Sequence, residues 1–447
     1  MNAENEYQFK ENLLNKSSNS VKSIKKLLRQ RWFVVAIALL LTGLGASLTS
    51  ISFKTGIDFI NNWRLELLTI YPAFIVLPIF GLIGGAISGF LIKNFAPAAK
   101  GSGVSQIMGF MRHKKVPMNL RVGLVKLISG IIAIGSGFPL GPEGPSVQMG
   151  GSVAWQMAKW LRAPIAFRRV IVAAGGGAGI AAVFSAPIGG FIYAIEELLN
   201  SARPVILLLV IVTTFIADSS ANFLKGGSTE AVYKIDFSFS PNDFIYLVIL
   251  GIIIGIFAEF YCKYVLMMQN FGKKLYQNKF VLKMSMCGFI LGIIYSLLGD
   301  EFHDLDKLKK IIATQNIDIS INPSQNIIAW AIVVVFILFI TSGLAAATGA
   351  PGGLFYPMLI LGGATGLIIG SLIPENAPST YIFAGMGAFI AGCSRTPITA
   401  MFLAFALTKN LIILKPVLIS CITSFLIARL FNEKSIYERQ IQIELDN

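Results

Sequence analysis

In this chain of 447 residues 55% are hydrophobic and only 13% charged, with a mean hydropathy of +0.70, whereas soluble domains run about 45–50% apolar and about 25% charged. That composition excludes a water-soluble globular protein and predicts an all-α polytopic membrane protein. The formal charge of +14 does not indicate a nucleic-acid partner, because the Lys and Arg gather in loops and at the termini, as positive-inside topology requires.

Residues 1–32 are polar and end in the basic stretch Lys22 to Arg31, where Ile24, Leu27 and Leu28 fall at helical spacing. This segment reads either as a helix lying at the cytoplasmic membrane surface or as a solvated basic tail. It contains no apolar core of a cleaved signal peptide, and its charge places the N-terminus in the cytoplasm. Apolar runs long enough to cross a hydrocarbon core of about 30 Å follow. The clearest are Val34 to Ile51, Leu68 to Ile92, Phe244 to Tyr261 and Ile327 to Ala347; Leu411 to Leu430 is interrupted near its start by Lys415 and Pro416.

Between the second and third of these, the pattern changes. A Pro- and Gly-bearing break, Ala96 to Val104, leads into a short segment through Met111 and then a basic connector, Arg112 to Lys115. From Val122 to Ala194 glycines are dense, which predicts short, broken helices that approach one another closely. Within that region, Gly135 to Gly150 places one carboxylate, Glu143, among glycines and prolines. At membrane depth a carboxylate costs from about 3 kcal/mol upward, so it calls for a functional explanation.

The second half repeats the pattern. Phe184 to Ala194 aligns with Ser394 to Ala404, with Pro187 and Pro397 standing 210 positions apart. Nearly the same shift carries Glu143 to Gly353-Leu354, inside another Gly/Pro-rich stretch, Gly349 to Pro357. Paired helix breaks in corresponding positions are the mark of an internal repeat, and in transporters they point to the binding site. A helix beginning inside the membrane leaves its first N–H groups unpaired and presents about half a positive charge, which can hold an anion loosely enough for release. Desolvation disfavours a charge on Glu143 while a helix N-terminus favours it, so proton binding and anion binding become alternatives at one place.

Metal and thiol chemistry are not indicated. Cys262, Cys287, Cys393 and Cys421 lie in or beside apolar segments without paired spacing, and His113 and His303 sit in charged connectors. The cysteines therefore read as small core residues; no metal and no cofactor is implied. A membrane-embedded enzyme using Glu143 and Glu197 as acid and base lacks any accompanying nucleophile or metal constellation, so the chain is not read as an enzyme.

The ordered set of motifs resembles the CLC chloride channel and transporter family, in its prokaryotic type. Gly101-Ser-Gly-Val-Ser105 is similar to the family's G-S-G-I-P, Gly141-Pro-Glu-Gly-Pro145 to G-[KR]-E-G-P, and Gly353-Leu-Phe-Tyr-Pro357 to G-x-F-x-P. Val125-Lys126, the Ala-Pro-x-x-Gly run ending in Ile195-Glu-Glu197, and Lys434 to Tyr437 fall in family order, so the resemblance spans Val34 to Tyr437.

The resemblance implies the CLC-type fold, two inverted-topology repeats of broken, tilted helices. The transmembrane domain would cover residues 33–437, with halves at about 33–205 and 240–431, and residues 438–447 would form a short cytoplasmic tail. Ser102 and Tyr437 would coordinate a central anion with the backbone N–H groups of Leu354 and Phe355, beside Gly101. Glu143 would be the gate, imitating an anion when ionised and swinging aside when protonated, and Glu197 would be the inner proton-transfer group. The implied activity is proton-coupled chloride antiport in the cell membrane by a homodimer with one pathway per subunit. A passive chloride channel of the same fold, or a carrier of another monovalent anion such as fluoride or nitrate, remains open on the residues alone.

Departures from the pattern bear on mechanism. Pro142 replaces the usual basic residue before the gate, removing a charge and a backbone N–H, which should weaken the outer anion site. Ser105 and Gln106 replace the usual Pro-Glu and predict a differently shaped helix entry after Ser102, while Ser102 itself favours chloride over nitrate or fluoride. Only ten residues follow Tyr437, so paired cytoplasmic nucleotide-sensing domains are not expected.

Overall fold

The computed structural model describes residues 3–199, 203–226, 233, 237, 239–275, 279–315, 327–373 and 378–445. The side chains of residues 3–31 lie outside the described set, and with them the amphipathic pattern of Ile24, Leu27 and Leu28. Among the described residues all regular structure is helical apart from one isolated antiparallel bridge between Gly141 and Gly353. Helix satisfies its backbone hydrogen bonds internally, which a chain this apolar needs if it is to lie in lipid.

The first half contains α1 (Ala3–Leu68), α2 (Ala73–Phe95), α3 (Val104–Met111), α4 (Leu120–Gly135), α5 (Glu143–Trp160), α6 (Ile165–Phe184), α7 (Pro187–Tyr193) and α8 (Pro204–Leu224). The second contains α9 (Asp243–Leu275), α10 (Phe280–Ser296), α11 (Leu305–Thr314), α12 (Ile327–Thr348), α13 (Phe355–Gly370), α14 (Pro378–Ser394), α15 (Pro397–Thr408) and α16 (Leu414–Phe431), and α17 (Ile436–Leu445) closes the chain. Two consecutive helix pairs correspond. α6 and α14 each end on a left-handed residue, Ser185 (φ 50°) and Arg395 (φ 64°), and α7 and α15 each restart on a proline two residues later. The bridge at Gly141 and Gly353 brings the N-termini of α5 and α13 together.

Two apolar runs begin differently from the sequence expectation. The run from Leu68 is split, because α1 ends at Leu68 and α2 starts only at Ala73 after Pro72 caps it, where the ring has no N–H to lose. Lys415 and Pro416, expected to interrupt the last span, instead sit in the first turn of α16, where a proline is tolerated.

Packing shows the membrane's inversion of polarity. On α2 the large side chains Phe74, Ile79, Ile83 and Phe90 face outward, while Gly81, Gly84, Gly85 and Ser88 are buried. That small-residue face meets α10 so closely that a Cβ on Gly81 would strike the Gly288 carbonyl, and one on Gly288 the Gly81 carbonyl. Among the described residues seven helices are long and apolar enough to span a membrane. α13 and α14, apolar and buried over almost their whole lengths, form the centre. All four cysteines are free thiols, with Cys262, Cys393 and Cys421 buried.

Candidate functional site

Three interrupted helices converge at the centre. The first contribution is the loop before α3, whose turn needs left-handed backbone at Gly101 (φ 75°) and Gly103 (φ 99°). Gly101 N–H donates to the Gly349 carbonyl at 2.9 Å, and Gly103 N–H to the Gln106 side-chain carbonyl at 2.8 Å. Gln106 in turn donates to the Lys100 carbonyl at 2.8 Å, so the residue that departs from the usual Pro-Glu staples the loop to its own helix. From behind, the fully buried Lys126 ammonium donates to the carbonyl of Ala99 at 3.0 Å and to that of Gly101. Ser102 is thereby held on a fixed turn, 4% exposed. Its hydroxyl has no hydrogen-bond partner among the described residues.

The second contribution is the start of α5. Pro142 caps the helix with φ −76°, within the range its ring imposes, and Glu143 is the first helical residue and fully buried. Its carboxylate lies against glycine: a Cβ on Gly353 would stand 2.7 Å from Glu143 Oε2, and one on Gly141 would meet both carboxylate oxygens and the Tyr356 Cβ. Gly144 faces the Ser102 carbonyl and the Gly353 Cα just as closely. No side chain fits at these glycines, and their absence lets the first loop, α5 and α13 share one point.

α13 supplies the third contribution. Gly141 N–H donates to the Gly353 carbonyl at 2.8 Å and Gly353 N–H to the Gly141 carbonyl at 2.7 Å, fixing the two helix starts in register. Leu354 and Phe355 follow, 2% and 1% exposed, with N–H groups at the positive end of α13. Tyr437, at the start of α17, packs edge-on against the Phe355 ring with centroids 5.7 Å apart. Gly101, Ser102, Glu143, Leu354, Phe355 and Tyr437, scattered over the sequence, are thus gathered at one centre. A cleft opens from it, lined by Lys54, Arg64, Glu143, Asp304, Asp306 and Tyr356 among others.

Glu197 stands apart from that cleft, in a single π-helical turn, Ala194–Leu199, that continues α7. It is 6% exposed and accepts a hydrogen bond at 3.1 Å from Ser435 Oγ, two residues before Tyr437. Its neighbour Glu196 turns the other way and caps α15, accepting from Thr399 N–H at 2.9 Å, Thr399 Oγ1 at 2.7 Å and Ile398 N–H at 3.3 Å. The sequence gave no sign of that cap, since its partner helix starts about two hundred residues away; nor did it disclose the anchoring role of Lys126.

A second buried network fixes α17. Glu259 on α9, 2% exposed, accepts from Arg395 at 2.8 Å and from both terminal nitrogens of Arg439 at 2.9 Å. Arg112 pairs with Glu438 at the same helix.

Comparison with known proteins agrees with this architecture. Residues 84–429 match the family model described as voltage gated chloride channel. The H(+)/Cl(-) exchange transporter ClcA of Vibrio parahaemolyticus is 29% identical over 435 residues, covering 93% of this chain and 91% of the relative. The protein of the same name from Yersinia pseudotuberculosis is 30% identical over 427 residues, covering 90% and 86%. Among solved structures, that of a slow cyanobacterial Cl-/H+ antiporter superposes with a TM-score of 0.83 at 26% identity, covering 93% of this chain and 98% of the other. A CLC-type fluoride/proton antiporter shares the fold with a TM-score of 0.77 at 18% identity, covering 91% and 97%. With the family model spanning most of its length and the three helix starts meeting as described, this chain belongs to the CLC family of voltage-gated chloride channels and transporters.

Proposed function

We propose that this protein exchanges chloride for protons across the membrane and that Glu143 is the group both ions share. The observation that carries this reading is one fully buried carboxylate at the first turn of α5, seated against Gly353 where the N-terminus of α13 arrives. Two helix ends favour negative charge there, whether it belongs to the carboxylate or to an anion that displaces it. Protonation cancels the attraction, the side chain leaves, and chloride takes its place.

Chloride is held by the Ser102 and Tyr437 hydroxyls and the N–H groups of Leu354 and Phe355, with Gly101 shaping the loop. Each of these is a dipole and not a full positive charge, so binding stays weak enough for turnover. Glu197 serves the opposite end of the path, passing protons between the cytoplasm and Glu143. The names of the relatives, H(+)/Cl(-) exchange transporters, support the same activity.

The transporting unit is residues 33–437 with halves at about 33–205 and 240–431, residues 1–32 and 438–447 being flanking segments. It sits in the cell membrane with both termini in the cytoplasm, works as a homodimer with one pathway per subunit, and is a transporter and not an enzyme.

Purified protein in liposomes with the membrane potential clamped at zero tests the reading. An inward chloride gradient should drive protons out and raise internal pH; chloride entry without a pH change identifies a passive channel. Glu143→Ala and Glu197→Gln should each abolish proton movement while chloride flux continues. Normal coupling in both variants would falsify the assignment of these residues.

A further inference from the structure

The route between Glu197 and the anion site passes a group with no role so far. Tyr193, the last residue of α7, is completely buried, and its hydroxyl has no hydrogen-bond partner among the described residues. A buried hydroxyl left unpaired is destabilising, and a phenylalanine of the same shape would avoid that cost. Something the hydroxyl binds therefore belongs beside it.

Its surroundings say what. Tyr193 stands four residues before Glu197, where the helix widens into the π turn Ala194–Leu199, an irregularity frequent at functional sites. Its ring meets Phe355 edge-on, with centroids 6.0 Å apart and planes at 85°. Tyr437 meets the same Phe355 ring at 5.7 Å and 81°. Tyr193 thus joins the proton-transfer end of the path to the anion end, beside a ring, Phe355, that can carry no proton.

We propose that the Tyr193 hydroxyl is a positioning residue of the proton route, holding the water through which protons pass between Glu197 and the anion site. The held water passes the protons, releasing one as it takes up another while the Tyr193 hydroxyl keeps its own, so no group is left charged and no bond other than the O–H bonds of water and of the carboxyl groups is exchanged. This proposal rests on the assignment of Glu197 as the inner proton-transfer group.

The test compares wild type, Tyr193→Phe and Glu197→Gln in the same liposomes, with proton flux, chloride flux and melting temperature measured for each. In Tyr193→Phe proton flux should fall about tenfold, the equivalent of one hydrogen bond in the path, with chloride flux kept and melting temperature unchanged or raised. A residue that merely packs would leave the chloride-to-proton ratio where it was. An unchanged ratio in Tyr193→Phe, with Glu197→Gln uncoupled, overturns the proposal and leaves the assignment of Glu197 standing. Equal loss of both fluxes in Tyr193→Phe also overturns it. Continued coupling in Glu197→Gln removes the assignment and the proposal together.

Discussion

Lys126 shows how one buried side chain can hold a loop, here the one that carries Ser102, from inside the protein. Its ammonium is buried and donates to the carbonyls of Ala99 and Gly101, the two residues that lead into Ser102. A cation placed this way steadies the loop, and on the proposed reading it leaves the anion to meet only dipoles. Lys126→Met keeps the length and removes the donor. We expect a stability loss of about 1.5–3 kcal/mol, the worth of a hydrogen bond to a charged group, and weaker chloride binding by calorimetry. Unaltered chloride affinity would show that the loop holds its shape unaided. Single residues were legible in the sequence in proportion to how strange their setting was. Glu143 stood out because a carboxylate among glycines and prolines in an apolar chain has few structural explanations, whereas Ser102, a serine between two glycines, was marked only by its place in the motif that resembles the family's. Glu196 and Glu197 are adjacent and chemically identical, yet one caps α15 and the other binds Ser435. Only the arrival of helices from far along the chain separates their roles, and no local pattern encodes that.

At the scale of elements, α17 is the least self-sufficient helix and carries Tyr437. Ten residues of mixed polarity do not hold a helix by themselves. One anchor is Glu259, which reaches from the middle of α9 to grip Arg439 and Arg395. Replacing Glu259 with Gln leaves two buried guanidinium groups without their carboxylate, which typically costs about 3–5 kcal/mol. Thermal unfolding of Glu259→Gln should therefore shift downward, and chloride affinity should drop because Tyr437 loses its fixed position. A variant as stable as wild type would assign the anchoring of α17 to apolar packing instead. The sequence showed Arg439 and Glu259 only as charges 180 residues apart, one of them in the middle of a span. Helix existence was readable from apolar runs, whereas the break at Thr69–Pro72 and the π turn at Ala194–Leu199 depend on what those segments pack against.

On the scale of the whole molecule, the starts of α5 and α13, from opposite ends of the chain's order, meet at the Gly141–Gly353 bridge, and the proposed site lies there. The repeat was visible as two matched Gly/Pro-rich breaks. What the sequence could not display was that Gly353 of one half forms the surface on which the Glu143 carboxylate of the other half rests. With Glu143 as the proposed gate, that contact makes gating depend on the junction of α5 and α13, and a single methyl group tests it. A Cβ on Gly353 would stand 2.7 Å from Glu143 Oε2 and 2.7 Å from the Gly144 nitrogen, well inside van der Waals contact, so the carboxylate and the methyl cannot occupy the place together. The backbone pair between Gly141 and Gly353 lies on the peptide groups and is not consumed by the substitution. If the carboxylate yields, Gly353→Ala should resemble a transporter with its gate displaced: chloride flux maintained, proton flux reduced, and the ratio of chloride to protons raised as in Glu143→Ala. If instead the helix starts yield, both fluxes and the melting temperature should fall together. Liposome flux measurements beside thermal unfolding distinguish these outcomes, and the second would mean that the glycine serves the docking of α5 on α13 before it serves the gate.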